Sequence, residues 1–202
     1  MRNSVFATAA LGLLLAATAA PAEAQTYRQF SQWCFGDFSD AETIQGCYAV
    51  IRWARESPRD AAAAFYNRGI AYRNQGKFDR AIEDQGEALR LRPTFADALN
   101  ERGLAYLQKG DSARALSEFD AAIRLKPDLA AAWFNRGGSW IKLGRLDRAL
   151  ADFDRTLILH PGDAEALVAR GQVRRATGDI TGAEADMTAA GQATTGKSAA
   201  SR

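Results

Sequence analysis

Apolar and small residues recur along the chain at helical spacing, between regularly placed glycines and prolines. In the stretch Ala130 to Asp163, AAAWFNRGGSWIKLGRLDRALADFDRTLILHPGD, Trp133, Gly137 and Trp140 fall on one helical face; Leu146, Ala149, Leu150, Phe153 and Leu157 fall on another. The pattern predicts two helices joined by a short turn. Gly144 sits in that turn, where a residue with φ > 0 can end a helix. Pro161 stops the second helix, because proline cannot donate the bond that the next helical turn needs.

Shifting this unit by 34 residues in either direction lands on the same residue types. Gly69, Gly103, Gly137 and Gly171 mark one position, and Gly76, Gly110, Gly144 and Gly178 mark another. Ala81, Ala115, Ala149 and Ala183 follow, and Pro93, Pro127 and Pro161 close the first three copies. Small residues let the two helices approach where Gly69 and Ala81, or their copies, face each other. One hairpin cannot cover its own apolar faces, so the copies must stack. The expected fold is all-α: an α-solenoid of antiparallel helix hairpins with units at 62–95, 96–129, 130–163 and, as a partial capping unit, 164–190.

Counting from Ala62, Ala96, Ala130 and Ala164, the fourth place is Phe65, Leu99, Trp133 and Leu167, and the eighth is always glycine. The eleventh is Tyr72, Tyr106, Trp140 and Arg174; the twenty-fourth is Gln85, Phe119, Phe153 and Met187. This pattern resembles the tetratricopeptide repeat family, whose signature runs W-x2-L-G-x2-Y, then A-x3-F, then P. The resemblance covers about residues 62 to 190. It implies a right-handed superhelix whose first helices form a concave wall that holds peptides or segments of other proteins. The family's groove places carry over to Tyr66, Ile70, Arg73, Asn100, Leu104, Leu107, Phe134, Ile141 and Lys142, continuing at Gln172 and Arg175. The alternative for several of them, Leu104 and Ile141 above all, is packing against the next repeat. One subfamily clamps a terminal carboxylate with Lys and Asn; here Tyr66 and Ile70 occupy the first of those places, so that clamp is not expected.

The seventh place departs from the family's usual Leu: it is Arg68, Arg102, Arg136 and Arg170. The twenty-third is Asp84, Glu118, Asp152 and Asp186. Arginines and acids recurring in step suggest a structural ladder joining facing helices; the alternative is an arginine-lined surface for an acidic partner.

Residues 1–24, MRNSVFATAALGLLLAATAAPAEA, follow the plan of a secretory signal peptide: a basic Arg2, an apolar run, and small residues Ala22 and Ala24 around Glu23. The mature chain is then expected to begin at Gln25. An uncleaved anchor is the alternative, although the run is Ala-rich and short for about 30 Å of hydrocarbon. Export, periplasmic or beyond, makes a disulfide the expected state of Cys34 and Cys47, the only cysteines. Laying Val50 to Trp53 on Ala88 to Leu91 puts these cysteines at the eleventh and twenty-fourth places. Residues 25–60 then read as a degenerate first hairpin with about four extra residues around Glu56 to Arg59. Two free, buried thiols are the alternative. At the other end, residues 191–202 have no bulky apolar side chain and are expected to form a disordered tail.

Composition narrows the function. Of 202 residues, 47% are hydrophobic and 25% charged, with a net charge of +2 and no run of one sign, so nothing suggests a nucleic-acid or membrane-surface footprint. No nucleotide-binding glycine loop follows a strand. The single histidine, His160, precedes Pro161 at a helix end, where it would meet the helix dipole. Asp152 and Asp154 are two apart on a helix and point different ways. No catalytic residue, metal ligand or cofactor is expected. Two functions remain: an exported adaptor that binds a peptide or partner protein in its groove, or a structural subunit of a cell-envelope assembly that uses its convex side or ends.

Overall fold

The computed structural model of the protein describes residues 22–53 and 57–200. Among the described residues the regular elements are all helices: α1 (Ala22–Phe35), α2 (Asp40–Trp53), α3 (Pro58–Asn74), α4 (Phe78–Leu91), α5 (Ala96–Gln108), α6 (Ser112–Leu125), α7 (Ala130–Lys142), α8 (Leu146–Leu159), α9 (Ala164–Ala176) and α10 (Ile180–Ala200). The expected signal peptide falls almost wholly on residues 1–21, outside the described residues. Ala22 to Ala24 open α1.

Each odd-numbered helix packs on the even one that follows it, and each even helix packs on the next hairpin. The odd helices also touch one another, α1 with α3, α3 with α5 and α5 with α7, whereas no even pair meets to a comparable extent. A stack whose first helices converge and whose second helices diverge curves with the first helices inside. This is the stacked-hairpin solenoid, and its inner wall belongs to α3, α5, α7 and α9.

Local chemistry sets the hairpin. Gly76, Gly110, Gly144 and Gly178 have φ of 73°, 93°, 69° and 91°. Past each, the next N–H donates to a carbonyl five residues back, as Lys77 does to Tyr72 and Arg145 to Trp140, at 2.9 Å in both cases. That closing bond satisfies an end carbonyl and turns the chain. The earlier glycines act differently. In the second and third repeats a Cβ at Gly103 or Gly137 would lie 2.6 or 2.8 Å from the ring of Phe119 or Phe153. The space therefore holds the aromatic of the twenty-fourth place rather than the alanine of the twentieth. In the fourth repeat, without that ring, the carbonyl oxygen of Ala183 lies 3.2 Å from where a Cβ at Gly171 would be.

Two boundaries differ from the sequence reading. The extra residues ahead of the first repeat are partly helical: α3 starts at Pro58, a full turn before Ala62. Ser57 caps it by accepting from the Asp60 N–H at 3.3 Å, and Pro58 occupies the first helical place, where its missing N–H costs nothing. At the other end α10 continues to Ala200, where a disordered tail was expected. Lack of bulky apolar side chains removes packing, but the alanines at 189, 190, 193, 199 and 200 are the best helix formers.

In the first hairpin the sulfurs of Cys34 and Cys47 lie at disulfide distance, 2.12 Å, and join α1 to α2. Both residues are fully buried beside Val50 and Ala64.

Candidate functional site

The inner wall is built from the second, fifth, sixth, ninth, twelfth and thirteenth places of the odd helices. Its first stretch, between α3 and α5, is tied up internally. Arg73 Nε donates to Glu101 Oε2 at 3.0 Å. Burial raises the Glu101 carboxyl against the pull of Arg73. Tyr66 lays its ring against Phe95 at 4.8 Å. Burial, then the charges of Glu101 and Asp97, pushes its hydroxyl up to about 12. Ile70 is half-buried beside them.

The middle stretch also spends several expected groove residues on packing. Asn100 is buried and accepts from Asn135 Nδ2 at 2.9 Å, linking α5 to α7. Leu107 is buried and Leu104 half-buried in the cluster around Phe119. Phe134 packs its ring 5.6 Å from Phe153. Exposed on this wall are Ile141, Lys142, Gln172 and Arg175.

Sequence reasoning passed over the residue that shapes this exposed stretch. Gly138 holds the ninth place of α7, where Ile70, Leu104 and Gln172 stand in the other repeats. A Cβ there would meet no neighbour within 4 Å. The wall steps back at Gly138, with Ile141 and Lys142 one turn further along. At the start of α7 and α9 a cleft of about 560 Å³ opens between Phe134, Asn135, His160, Asp163 and Glu165. His160 caps α8, its N–H donating to the Thr156 carbonyl at 2.8 Å, and its side chain is exposed. Gly138 and Asp97 stand at groove places without a side-chain type that marks a peptide contact, and Asn135 and Glu101 stand one place away from a groove place, so the family pattern points to none of them.

Behind the wall runs the arginine ladder. Arg68 holds Asp84 through Nε and Nη2 at 2.8 and 2.7 Å. Arg136 holds Asp152 the same way at 2.8 and 2.7 Å, and Arg170 holds Asp186 at 3.0 and 2.6 Å. Arg102 reaches Glu118 through Nη2 alone, at 2.9 Å. The third donor of Arg136 and Arg170 goes backward to the preceding repeat, Nη1 to Asp120 at 2.6 Å and Nη1 to Asp154 at 2.7 Å. Hydrogen bonding to Asp152, opposed by burial, raises the Arg136 guanidinium above its ordinary value. The same arginine stacks over Trp133, 4.7 Å from the ring centroid.

A second ladder lies beside the first. Arg80, Arg114 and Arg148 at the nineteenth place cover Tyr72, Tyr106 and Trp140 at the eleventh, at 5.5, 4.5 and 4.7 Å. In the fourth repeat both members change together, to Gly182 and Arg174. Arg174 Nη1 then turns to Asp186 Oδ2 at 3.0 Å.

A tetratricopeptide repeat family profile matches residues 49–94, 66–130, 100–163 and 139–196. No curated protein matches the sequence. Among solved structures, residues 41 to the end of MamA from Desulfovibrio magneticus RS-1 superpose with a TM-score of 0.71 at 22% identity, over 88% of this chain and 98% of that one. YrrB, described as a TPR protein with an unusual peptide-binding site, superposes with a TM-score of 0.59 at 21% identity, over 76% and 77%. These two likenesses are of fold. The first TPR of Spaghetti (RPAP3), bound to the HSP90 peptide SRMEEVD, superposes with a TM-score of 0.57 at 27% identity, over 59% of this chain and 94% of that one.

Proposed function

The chain belongs to the tetratricopeptide repeat family, and on that premise we propose that it is an exported adaptor holding a peptide or a segment of a partner protein against its inner wall. The observation that carries this reading is the open place at Gly138 beside exposed Ile141 and Lys142. A glycine on the wall lets a ligand backbone approach closely, Ile141 offers an apolar anchor, and Lys142 receives an acidic or carbonyl group. That similar folds hold or are described as binding peptides supports the reading. The cysteine pair at bonding distance supports a non-reducing compartment, periplasmic or extracellular.

The test is selection from a displayed random peptide library, followed by calorimetry with the selected peptide. Lys142→Glu and Gly138→Leu are each expected to weaken binding at least tenfold while leaving the melting temperature nearly unchanged, because neither side chain enters the packed interior. Peptides that bind both variants as tightly as the parent would sink the groove. For export, mass spectrometry of the native protein should find Gln25 at its amino terminus, and a chain that keeps Met1 would refute cleavage.

One observation favours the envelope-subunit reading instead. Phe35, Phe38, Tyr48 and Trp53 are exposed on the first hairpin, at the end of the stack. If Phe38→Ser and Tyr48→Ser abolish assembly into a larger envelope complex, and the wall variants do not, that second function is the one performed.

A further inference from the structure

The ladder has one incomplete rung. Arg136 and Arg170 each place all three donor positions, two on their own acid and Nη1 on the acid at the twenty-fifth place of the preceding repeat, Asp120 or Asp154. At Arg102 that preceding place is Gly86. Arg102 Nη2 donates to Glu118, while its Nε is buried without a partner. A Cβ at Gly86 would lie 3.9 Å from Arg102 Nη1 and near no other atom of a neighbouring helix. The side chain of Arg102 is 25% exposed, against 19% and 18% for Arg136 and Arg170. At Arg68 the corresponding place holds Tyr48, so only Arg102 among the four faces a glycine.

We infer that the notch between α4 and α5 at Gly86 is a binding site for a carboxylate, supplied by an Asp or Glu side chain of a partner protein that docks on the outer face of the solenoid. The two completed rungs are the template: they show what the notch accepts, at what distance and through which nitrogen. In the completed rungs Nε serves the repeat's own acid and Nη1 the acid of the preceding repeat. At Arg102 it is Nη1 that faces the gap at Gly86, and a carboxylate there gives it a charge-assisted bond that Glu118, held through Nη2, does not supply. The surroundings admit an anion. Glu87, next to Gly86, is already paired with Arg90 at 2.9 Å, and Arg90 lies four residues from Gly86 on the same face of α4. A carboxylate fits better than a larger anion, because the gap is the width of one missing side chain. Two repeats further on, the equivalent hollow is lined by Asp154, Leu157, Ile158, Pro161, Leu167 and Arg170. At the notch the matching places are Leu89, Arg90, Pro93 and Leu99, so the stem of the arriving residue would lie on leucine and proline beside a second cation. The site lies outside the inner wall and does not depend on the groove reading.

The test follows the assigned guanidinium resonances of Arg102 in 15N-labelled protein during titration with N-acetyl-glutamate methylamide at fixed ionic strength. N-acetyl-glutamine methylamide and inorganic phosphate are the comparators. A saturable shift at Arg102 with the acid, at least five times smaller with the amide, is expected. Gly86→Asp, which fills the notch from within, should abolish the shift and raise the melting temperature. Asp120→Gly, which opens the same notch one repeat later, should create a new response at Arg136, whose two bonds to Asp152 keep the rung in place. Silence at Arg102, an equal response to the amide, or tighter binding of phosphate would each overturn the assignment. So would a shift that grows with protein concentration in the absence of probe, because the occupant would then be a second copy of this chain.

Discussion

Gly103 and Gly110 are seven residues apart in the second repeat, and each is glycine for a different reason. A Cβ at Gly103 would stand 2.6 Å from the Phe119 ring, which is wholly buried and cannot move aside cheaply. A Cβ at Gly110 would meet nothing within 4 Å, but the backbone there has a φ of 93°. Gly103→Ala is therefore an overpacking change expected to cost about 2–3 kcal/mol. Gly110→Ala is a backbone change expected to cost about 1–2 kcal/mol. Urea denaturation separates the two by their rescue. Phe119→Leu should recover part of the loss at Gly103 and none at Gly110, whereas asparagine at 110 should cost less than alanine because it tolerates the left-handed region. Equal losses with no such rescue would show that the two glycines answer to the same constraint.

The two helices of each repeat are joined by ion pairs that are mostly out of water. The Asp152 side chain is 4% exposed and that of Arg136 19%, so removing one partner leaves the other charged in a site that cannot hydrate it. Arg136→Met is expected to cost about 3–5 kcal/mol, because it strands the buried Asp152 carboxylate, and Asp152→Ala distinctly less, because Arg136 is more exposed and keeps its bond to Asp120. A double-mutant cycle should give a coupling of about 1–3 kcal/mol, and zero coupling would remove the rung from any account of stability. The pairing of the seventh with the twenty-third place was legible because arginine and acid recur in all four copies. The backward bonds to Asp120 and Asp154 were not, since Gly86 breaks their recurrence and an acid two places from the ladder looks like solvated surface. The arginines over Tyr72, Tyr106 and Trp140 escaped for the same reason: a basic residue near a helix start reads as exposed until the facing ring is known. Asn100 and Leu107 were assigned to the groove by place alone, and the depth to which a neighbouring repeat covers a place is not written in a period. The cap of α3 was legible in Ser57, Pro58 and Asp60, but it was read as an insertion because the register was counted from Ala62.

A solenoid has no single core, so its stability is a sum over hairpins and their shared faces, and its ends open before its middle. The first hairpin lacks a ladder rung: the seventh and twenty-third places are Phe30 and Gly46. It is held instead by the Cys34–Cys47 link and by aromatic contacts, Trp53 with Tyr27 at 5.7 Å and with Phe30 at 5.9 Å. Closing a loop between cysteines 13 residues apart contributes about 3 kcal/mol in the chain-entropy model. Reduction should therefore lower amide protection in α1 and α2 by roughly a hundredfold, with a smaller loss in α3, where Asn67 donates to the Cys34 carbonyl at 3.0 Å. Protection in α5 to α8 should not change, because those helices draw their stability from rungs and rings that reduction leaves alone. Hydrogen exchange with and without reductant reads this directly, and a uniform loss across all helices would mean that the stack unfolds as one unit. The local outcome has a functional corollary. The open wall at Gly138, Ile141 and Lys142 lies three hairpins along from the cysteines, so a peptide held there should bind the reduced and oxidised protein equally, and the bridge would serve the stability of the first hairpin rather than recognition.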